Sequence, residues 1–212
     1  MPTEPADLVA VIGAGTMGAG IALSFAQAGF GVVLVDESQA ALDRALEQTN
    51  ANLRLLSGFG LLVDGTAATL ARIELHNSID VLESTANLRL VIESIPEDLE
   101  LKHRLFMRLD ELPGSVIIAS NTSSFTMSAI TRGMRTAHRA LGLHYFNPAH
   151  IIPAVEVHRG VETTDETVAS AQQIVDRAGK VSIIVRKEVP GFVINRLTGA
   201  LEREVDYLLD EG

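Results

Sequence analysis

Apolar residues along this chain fall into short continuous blocks separated by stretches of helical period. Leu8-Val-Ala-Val-Ile12, Val32-Val-Leu-Val35, Leu88-Arg-Leu-Val-Ile92, Ser115-Val-Ile-Ile-Ala119 and Val181-Ser-Ile-Ile-Val185 have strand length and suit strands buried on both faces. Arg72 to Leu75, Arg139 to Tyr145 and Ala154 to His158 add three further strands. Between the blocks the pattern predicts a helix over Gly15 to Ala28 that is stopped by Gly29. Ser38 caps a long helix carrying Ala41, Leu42, Ala45, Leu46 and Leu53 on one side. A third helix runs from Asp98 to Leu112, with Leu101, Leu105, Phe106 and Leu109 on one face. Thr163 and Glu166 form a capping box for a helix ending near Gly179, and Pro190 opens a last helix. Strands alternate with helices through most of the chain, which predicts an α/β, doubly wound, mainly parallel sheet.

Composition narrows the function classes. The formal net charge of −10 leaves no dense basic face for nucleic acid. No apolar run is long enough to span a bilayer. Met1 to Asp7 carries two acids and no Lys or Arg, unlike a secretory or transit segment. There is no cysteine, hence no disulfide frame, Cys-ligated zinc or thiol nucleophile, and a cytoplasmic location is the simplest expectation. No H-E-x-x-H spacing is present, so no metal is expected. A G-x-S-x-G elbow and a Walker A loop are also absent, which removes the usual hydrolase and NTPase readings.

Gly13-Ala-Gly15-Thr-Met-Gly18 follows a predicted strand and opens a helix. In that context G-x-G-x-x-G has a physical role. Gly13 makes the tight turn, Gly15 admits a pyrophosphate, and Gly18 lets helix and sheet pack closely. The helix N-terminus at Thr16 and Met17 adds free N–H groups. Asp36 ends the second strand, 18 residues after Gly18, where a carboxylate accepts from ribose hydroxyls and repels a 2′-phosphate. Glu37 adds to that repulsion. The fold expected is therefore Rossmann-type, with NAD as cofactor. Residues 1–188 form the dinucleotide-binding domain. Residues 189–212 are expected to be the first helix of a helical domain otherwise missing from the sequence.

His144 ends a predicted strand, and Glu156 lies inside an otherwise apolar one. A buried carboxylate needs a partner, and a histidine one strand away can supply it. Oxidising an alcohol by hydride transfer also requires loss of the hydroxyl proton, which a histidine oriented by a carboxylate can take. A purely structural His–Glu pair accounts for the spacing equally well. Of the other histidines, His150 is near enough to touch substrate, whereas His76, His103, His138 and His158 read as surface groups.

Taken together, Val11-Ile-Gly-Ala-Gly-Thr-Met-Gly18, Val91-Ile-Glu93 with Glu97, Ser120-Asn-Thr-Ser-Ser124, Gly142-Leu-His-Tyr-Phe-Asn-Pro148, Val155-Glu156 and Pro190-Gly-Phe-Val-Ile-Asn-Arg196 resemble the L-3-hydroxyacyl-CoA dehydrogenase family. The resemblance implies His144 as general base and Glu156 as its orienting partner. It implies that Ser123 and Asn195 hydrogen-bond the reacting oxygen or the catalytic histidine, and that Glu97, Lys102 and Asn147 lie near the nicotinamide ribose. As bland alternatives, Ser123 is a turn residue, Asn195 a helix start, and Glu97 with Lys102 a solvated first-turn pair. The family's basic residues on the second helix are reduced here to Arg44 and Arg54. Asn147-Pro-Ala-His-Ile-Ile-Pro-Ala-Val-Glu156 also resembles the branch acting on free 3-hydroxy acids, of the L-gulonate or carnitine type. The substrate is thus an acyl-CoA or a free 3-hydroxy acid, and a homodimer is expected; a nucleotide-binding protein without turnover is the remaining alternative.

Overall fold

The computed structural model describes residues 7–212. The Met1 start read above as carrying no targeting segment lies, apart from Asp7, outside them. Eight strands form one sheet: β1 (Leu8–Ile12), β2 (Gly31–Val35), β3 (Ile73–His76), β4 (Leu88–Glu93), β5 (Ile117–Ser120), β6 (Ala140–Tyr145), β7 (Ala154–Arg159) and β8 (Val181–Val185). Their spatial order is β3-β2-β1-β4-β5-β6-β7-β8. Every neighbouring pair is parallel except β6 and β7. The first six strands thus follow the doubly wound order in which the crossover reverses between β1 and β4.

Helices α1 (Thr16–Gln27), α2 (Gln39–Gly58), α3 (Thr66–Leu70), α4 (Leu99–Leu109), α5 (Met127–Ile130), α6 (Asp165–Arg177) and α7 (Ile194–Glu211) complete the chain. Alternation along β1 shows why the core has two halves. Val9 and Val11 pack with α1, α2 and α6 on one face, while Ala10 and Ile12 pack with Phe106, Leu109, Met127 and Ile130 on the other. The Ser38 hydroxyl accepts from the Ala41 N–H and starts α2 as its position implies. Leu46 departs from expectation, being exposed on that helix.

Two local readings are corrected. The capping residue of α6 is Thr164, whose hydroxyl accepts from the Thr167 N–H. Thr163 is buried and donates instead to the Ala140 carbonyl. The last helix begins at Ile194, not at Pro190, because the chain turns through Gly191 and Phe192, both at positive φ. Phe192, which falls inside the helix expected from Pro190, is buried ahead of the observed one. Helix α7 has no buried residue, and Leu197, Leu201, Val205 and Leu208 stand exposed along it. No helix of the described residues is long and apolar enough to cross a membrane.

Candidate active site

The carboxyl ends of β1, β2, β4, β5 and β6 open onto one cleft of about 1240 Å³. Gly13 leaves β1 at φ +102, and a Cβ there would meet the Ser94 carbonyl oxygen at 2.5 Å. A Cβ on Gly18 would stand 1.8 Å from the Gly13 oxygen, so α1 packs against the loop only with glycine there. Gly15 differs: a Cβ there meets nothing within 4 Å. No protein contact requires its small size. The open space lies in the cleft at the first turn of α1, where N–H groups lack intrahelical partners and anions bind. These residues, with Thr16 and Met17 beside them, fit a dinucleotide pyrophosphate.

Asp36 ties this loop to the next helix. Its Oδ2 accepts from the Ala14 N–H at 2.8 Å and its Oδ1 from the Ser38 N–H at 2.9 Å. Each oxygen retains acceptor capacity toward the cleft, which Asp36 and Glu37 line. A diol fits that acceptor pair and a phosphate dianion does not.

At the ends of β4 and β5 stands a buried charge cluster that sequence reasoning did not find. Lys102, expected with Glu97 in a solvated pair or at the ribose, is 1% exposed and reaches inward. Its Nζ is 2.5 Å from Glu93 Oε1 and 3.2 Å from Glu97 Oε2. Glu93 is fully buried; it also accepts from Ser120 Oγ at 2.6 Å and from the Ile95 N–H at 2.8 Å. Burial pushes the Glu93 carboxyl above the ordinary carboxylate value, with the Lys102 ammonium opposing the rise. Burial acts to raise Glu97 too, but the Thr122 hydroxyl, the Lys102 ammonium and the Ser123 N–H outweigh it and hold that carboxyl low. Glu97 Oε1 accepts from the Ser123 and Ser124 N–H groups and so shapes the loop after β5. An acid inside the apolar block Leu90-Val-Ile-Glu93 was the available signal for Glu93.

The second cluster spans the antiparallel pair. His144 and Glu156 are directly opposite in the β6–β7 register. His144 Nδ1 is 2.8 Å from Glu156 Oε2; Glu156 is fully buried and His144 lines the cleft. The carboxylate requires a proton on Nδ1, which leaves Nε2 as the nitrogen free to accept one. Glu156 Oε1 accepts from the Val193 and Ile194 N–H groups at 3.2 and 3.0 Å, so the start of α7 is attached to the histidine's partner. The Asn195 amide donates to the Ser123 carbonyl at 3.0 Å, joining two predicted site residues. Ser123 and the exposed Asn147 line the cleft with His144; Asn195, also exposed, and the buried Glu156 are not among its lining residues.

His158, expected at the surface, is buried beside Glu156, while His150 packs near Gly20 of α1 instead of lining the cleft. Among the described residues, His144, Glu156 and His158 are the one trio whose ligand-type atoms lie within 4.8 Å of one another. Those of His144 and Glu156 are engaged with each other. Asn121 was not given a role, yet its side chain accepts from the Tyr145 N–H and donates to Ser94, tying the ends of β4, β5 and β6.

Comparison with known proteins follows this geometry. The family described as "3-hydroxyacyl-CoA dehydrogenase, NAD binding domain" matches residues 8–189. The 3-hydroxybutyryl-CoA dehydrogenase of Bradyrhizobium diazoefficiens is 35% identical over 206 residues, covering 96% of this chain and 69% of the relative. The 5-formyl-3-hydroxy-2-methylpyridine 4-carboxylate 5-dehydrogenase of Mesorhizobium japonicum is 34% identical over 205 residues, covering 96% of this chain and 65% of the relative. The crystal structure of 3-hydroxybutyryl-CoA dehydrogenase from Escherichia coli K12 superposes with a TM-score of 0.90 at 37% identity, covering 98% of this chain and 43% of that one. The chain therefore spans about two thirds of the length of those two sequence relatives.

Proposed function

The chain belongs to the 3-hydroxyacyl-CoA dehydrogenase family through its NAD-binding domain, and from that premise we propose that it oxidises an L-3-hydroxyacyl-CoA to the 3-oxoacyl-CoA. The observation that carries the reading is the His144–Glu156 hydrogen bond at the wall of the same cleft as the glycine loop. The cofactor held by the glycine loop and Asp36 would be NAD, which would supply the acceptor for the hydride on the substrate carbinol carbon. His144 Nε2 takes the hydroxyl proton, and the imidazolium so formed faces the Glu156 carboxylate. The proton then passes to water, so each turnover yields 3-oxoacyl-CoA, NADH and one proton. Ser123 and Asn195 order the wall beside the reacting oxygen. Gly13, Gly15, Thr16, Met17, Gly18 and Asp36 hold the adenosine and pyrophosphate end. Glu97 and Asn147 stand toward the nicotinamide ribose, with Lys102 bracing Glu97 from within. No metal is assigned a role.

With this reading go residues 1–188 as the cofactor domain, residues 189–212 as a separate helical segment, a homodimer formed with the exposed face of α7, and a cytoplasmic location. The direct test is NADH absorbance with 3-hydroxybutyryl-CoA. Turnover there supports the reading, and none with any 3-hydroxyacyl-CoA overturns it. A second reading, a free 3-hydroxy acid as substrate, is favoured by the relative whose name carries a free carboxylate. It predicts turnover with L-gulonate or L-carnitine in place of the thioester. A cofactor-binding protein without turnover would bind NAD and reduce it with neither.

A further inference from the structure

His158 has no task in the proposed reaction, yet its surroundings are built around it. It lies on β7 two residues beyond Glu156 and is 4% exposed. Opposite it on β6 is Gly142, and a Cβ there would stand 3.0 Å from the His158 Cβ. Phe192 stacks on the imidazole at 3.6 Å between ring centroids and 30° between planes. Phe192 holds a left-handed φ of 55°, a conformation that is costly for a non-glycine residue. Its buried ring on His158 offsets that cost.

One nitrogen of His158 is unaccounted for. Nε2 is buried without a hydrogen-bond partner at ordinary distance, and it faces Glu156 Oε2 at 3.6 Å. A bare nitrogen there would set its lone pair against a carboxylate oxygen, so the stable tautomer carries the proton on Nε2. Glu156 already accepts from Val193 and Ile194 on Oε1 and from His144 on Oε2. A carboxylate offers about four acceptor positions. The remaining position on Oε2 faces His158 Nε2.

We propose that His158 is a positioning residue: its Nε2–H is aimed at the Glu156 oxygen that holds His144, so one carboxylate is fixed by four donors and its charge is shared between two rings. This rests on the function proposed above. The shared charge pulls less on a proton held by His144, and the orientation of His144 Nε2 toward the cleft is fixed. Glu156 on its own strand and His144 on β6 are the titratable groups acting on His158. Strand β8 meets it with Val185 in register, and the turn before α7 with Phe192. Burial, first, and the His144 ring push the imidazole of His158 down to about 4 against the pull of Glu156, so it stays neutral while His144 works.

Two variants separate this role from packing. His158→Leu keeps an apolar side chain under Phe192 and deletes the N–H. His158→Gln returns an N–H at the same reach. The leucine variant should lose kcat three- to tenfold with KM little changed, and the acid limb of its kcat/KM profile should move to higher pH. The glutamine variant should recover both to within twofold of wild type. A packing role alone predicts a shift in melting temperature, an unmoved acid limb and no advantage of Gln over Leu; that outcome overturns the proposal.

Imidazole 15N spectra give a readout that needs no turnover. They should show the Nε2–H tautomer at His158. An Nδ1–H tautomer at His158 in the wild type overturns the proposal even if a variant fails to fold. Absence of NAD reduction by the wild type would instead overturn the function, and the spectra would still decide His158.

Discussion

Two buried clusters of charge share one edge of the sheet and are built for opposite behaviour. At the ends of β4 and β5, Lys102 lies between Glu93 and Glu97 with 1% exposure. Lysine and its carboxylates ordinarily exchange protons far from neutral pH, on either side of it, so such a group acts as a fixed charge and a brace. Between β6 and β7, Glu156 faces two imidazoles. Histidine titrates near neutrality, so the same kind of burial yields a group that can take up a proton and return it. The difference shows how burial at one sheet edge yields two kinds of group: fixed charge shapes the loop from Ser120 to Ser124, and an imidazole able to carry a proton lines the cleft.

The largest test of this contrast is removal of the mobile group. His144→Ala should lose turnover by a factor on the order of 10²–10⁴ while NAD affinity, read by calorimetry, changes little. Glu156→Gln should lose less, about 10- to 100-fold, because the imidazolium keeps its place but not its counter-charge. Wild-type rates in both would make this cluster structural, like the other.

Removing the fixed group should act on stability. Lys102→Met leaves Glu93 buried and unpaired, which costs about 3–5 kcal/mol and lowers the melting temperature by roughly 10 °C. Adding Glu93→Leu should restore much of the loss, since an apolar pair of similar volume replaces a buried ion pair at little cost. A double variant no more stable than Lys102→Met would mean that both charges are needed where they stand.

Acid sharpens the comparison from the other side. The folded His158 imidazole protonates near 4, below its ordinary value of 6.5, so the unfolded chain takes the proton first as pH falls. Its contribution to stability is complete above about 6.5 and is lost between there and 4, by about 2 kcal/mol at pH 5. Urea midpoints at pH 7 and pH 5 should therefore converge in His158→Leu relative to wild type; equal pH dependence in the two proteins would contradict this.

The smallest effect concerns the cofactor end, where charge selects and does not react. Asp36→Ala should narrow the preference for NAD over NADP several-fold, as it removes the carboxylate that would meet a 2′-phosphate. Calorimetric affinities for the two cofactors that keep the wild-type ratio would assign the preference to Glu37 or elsewhere.

The features legible from the amino acids alone are local ones. The run from Leu8 to Asp36 contains strand, glycine loop, helix and acid, and neighbouring residues suffice to specify each. Ser38 capping α2 is legible for the same reason. The alternation of apolar blocks with helical stretches was enough for the doubly wound sheet, because burial of a strand or a helix face is written in its own period. His144 and Glu156 were legible as candidates, since an acid inside an apolar strand demands a partner.

Only the tertiary structure decided which partner each buried polar group has. Glu93 claims Lys102 from nine residues away, Glu156 faces His158 as well as His144, and Thr164 rather than Thr163 caps α6. The turn of Gly191 and Phe192 delays α7 to Ile194. Periodicity reports that a position is inside. Strand order and register, set by the whole core, decide what it meets there, and a buried charge or imidazole takes its chemistry from that neighbour.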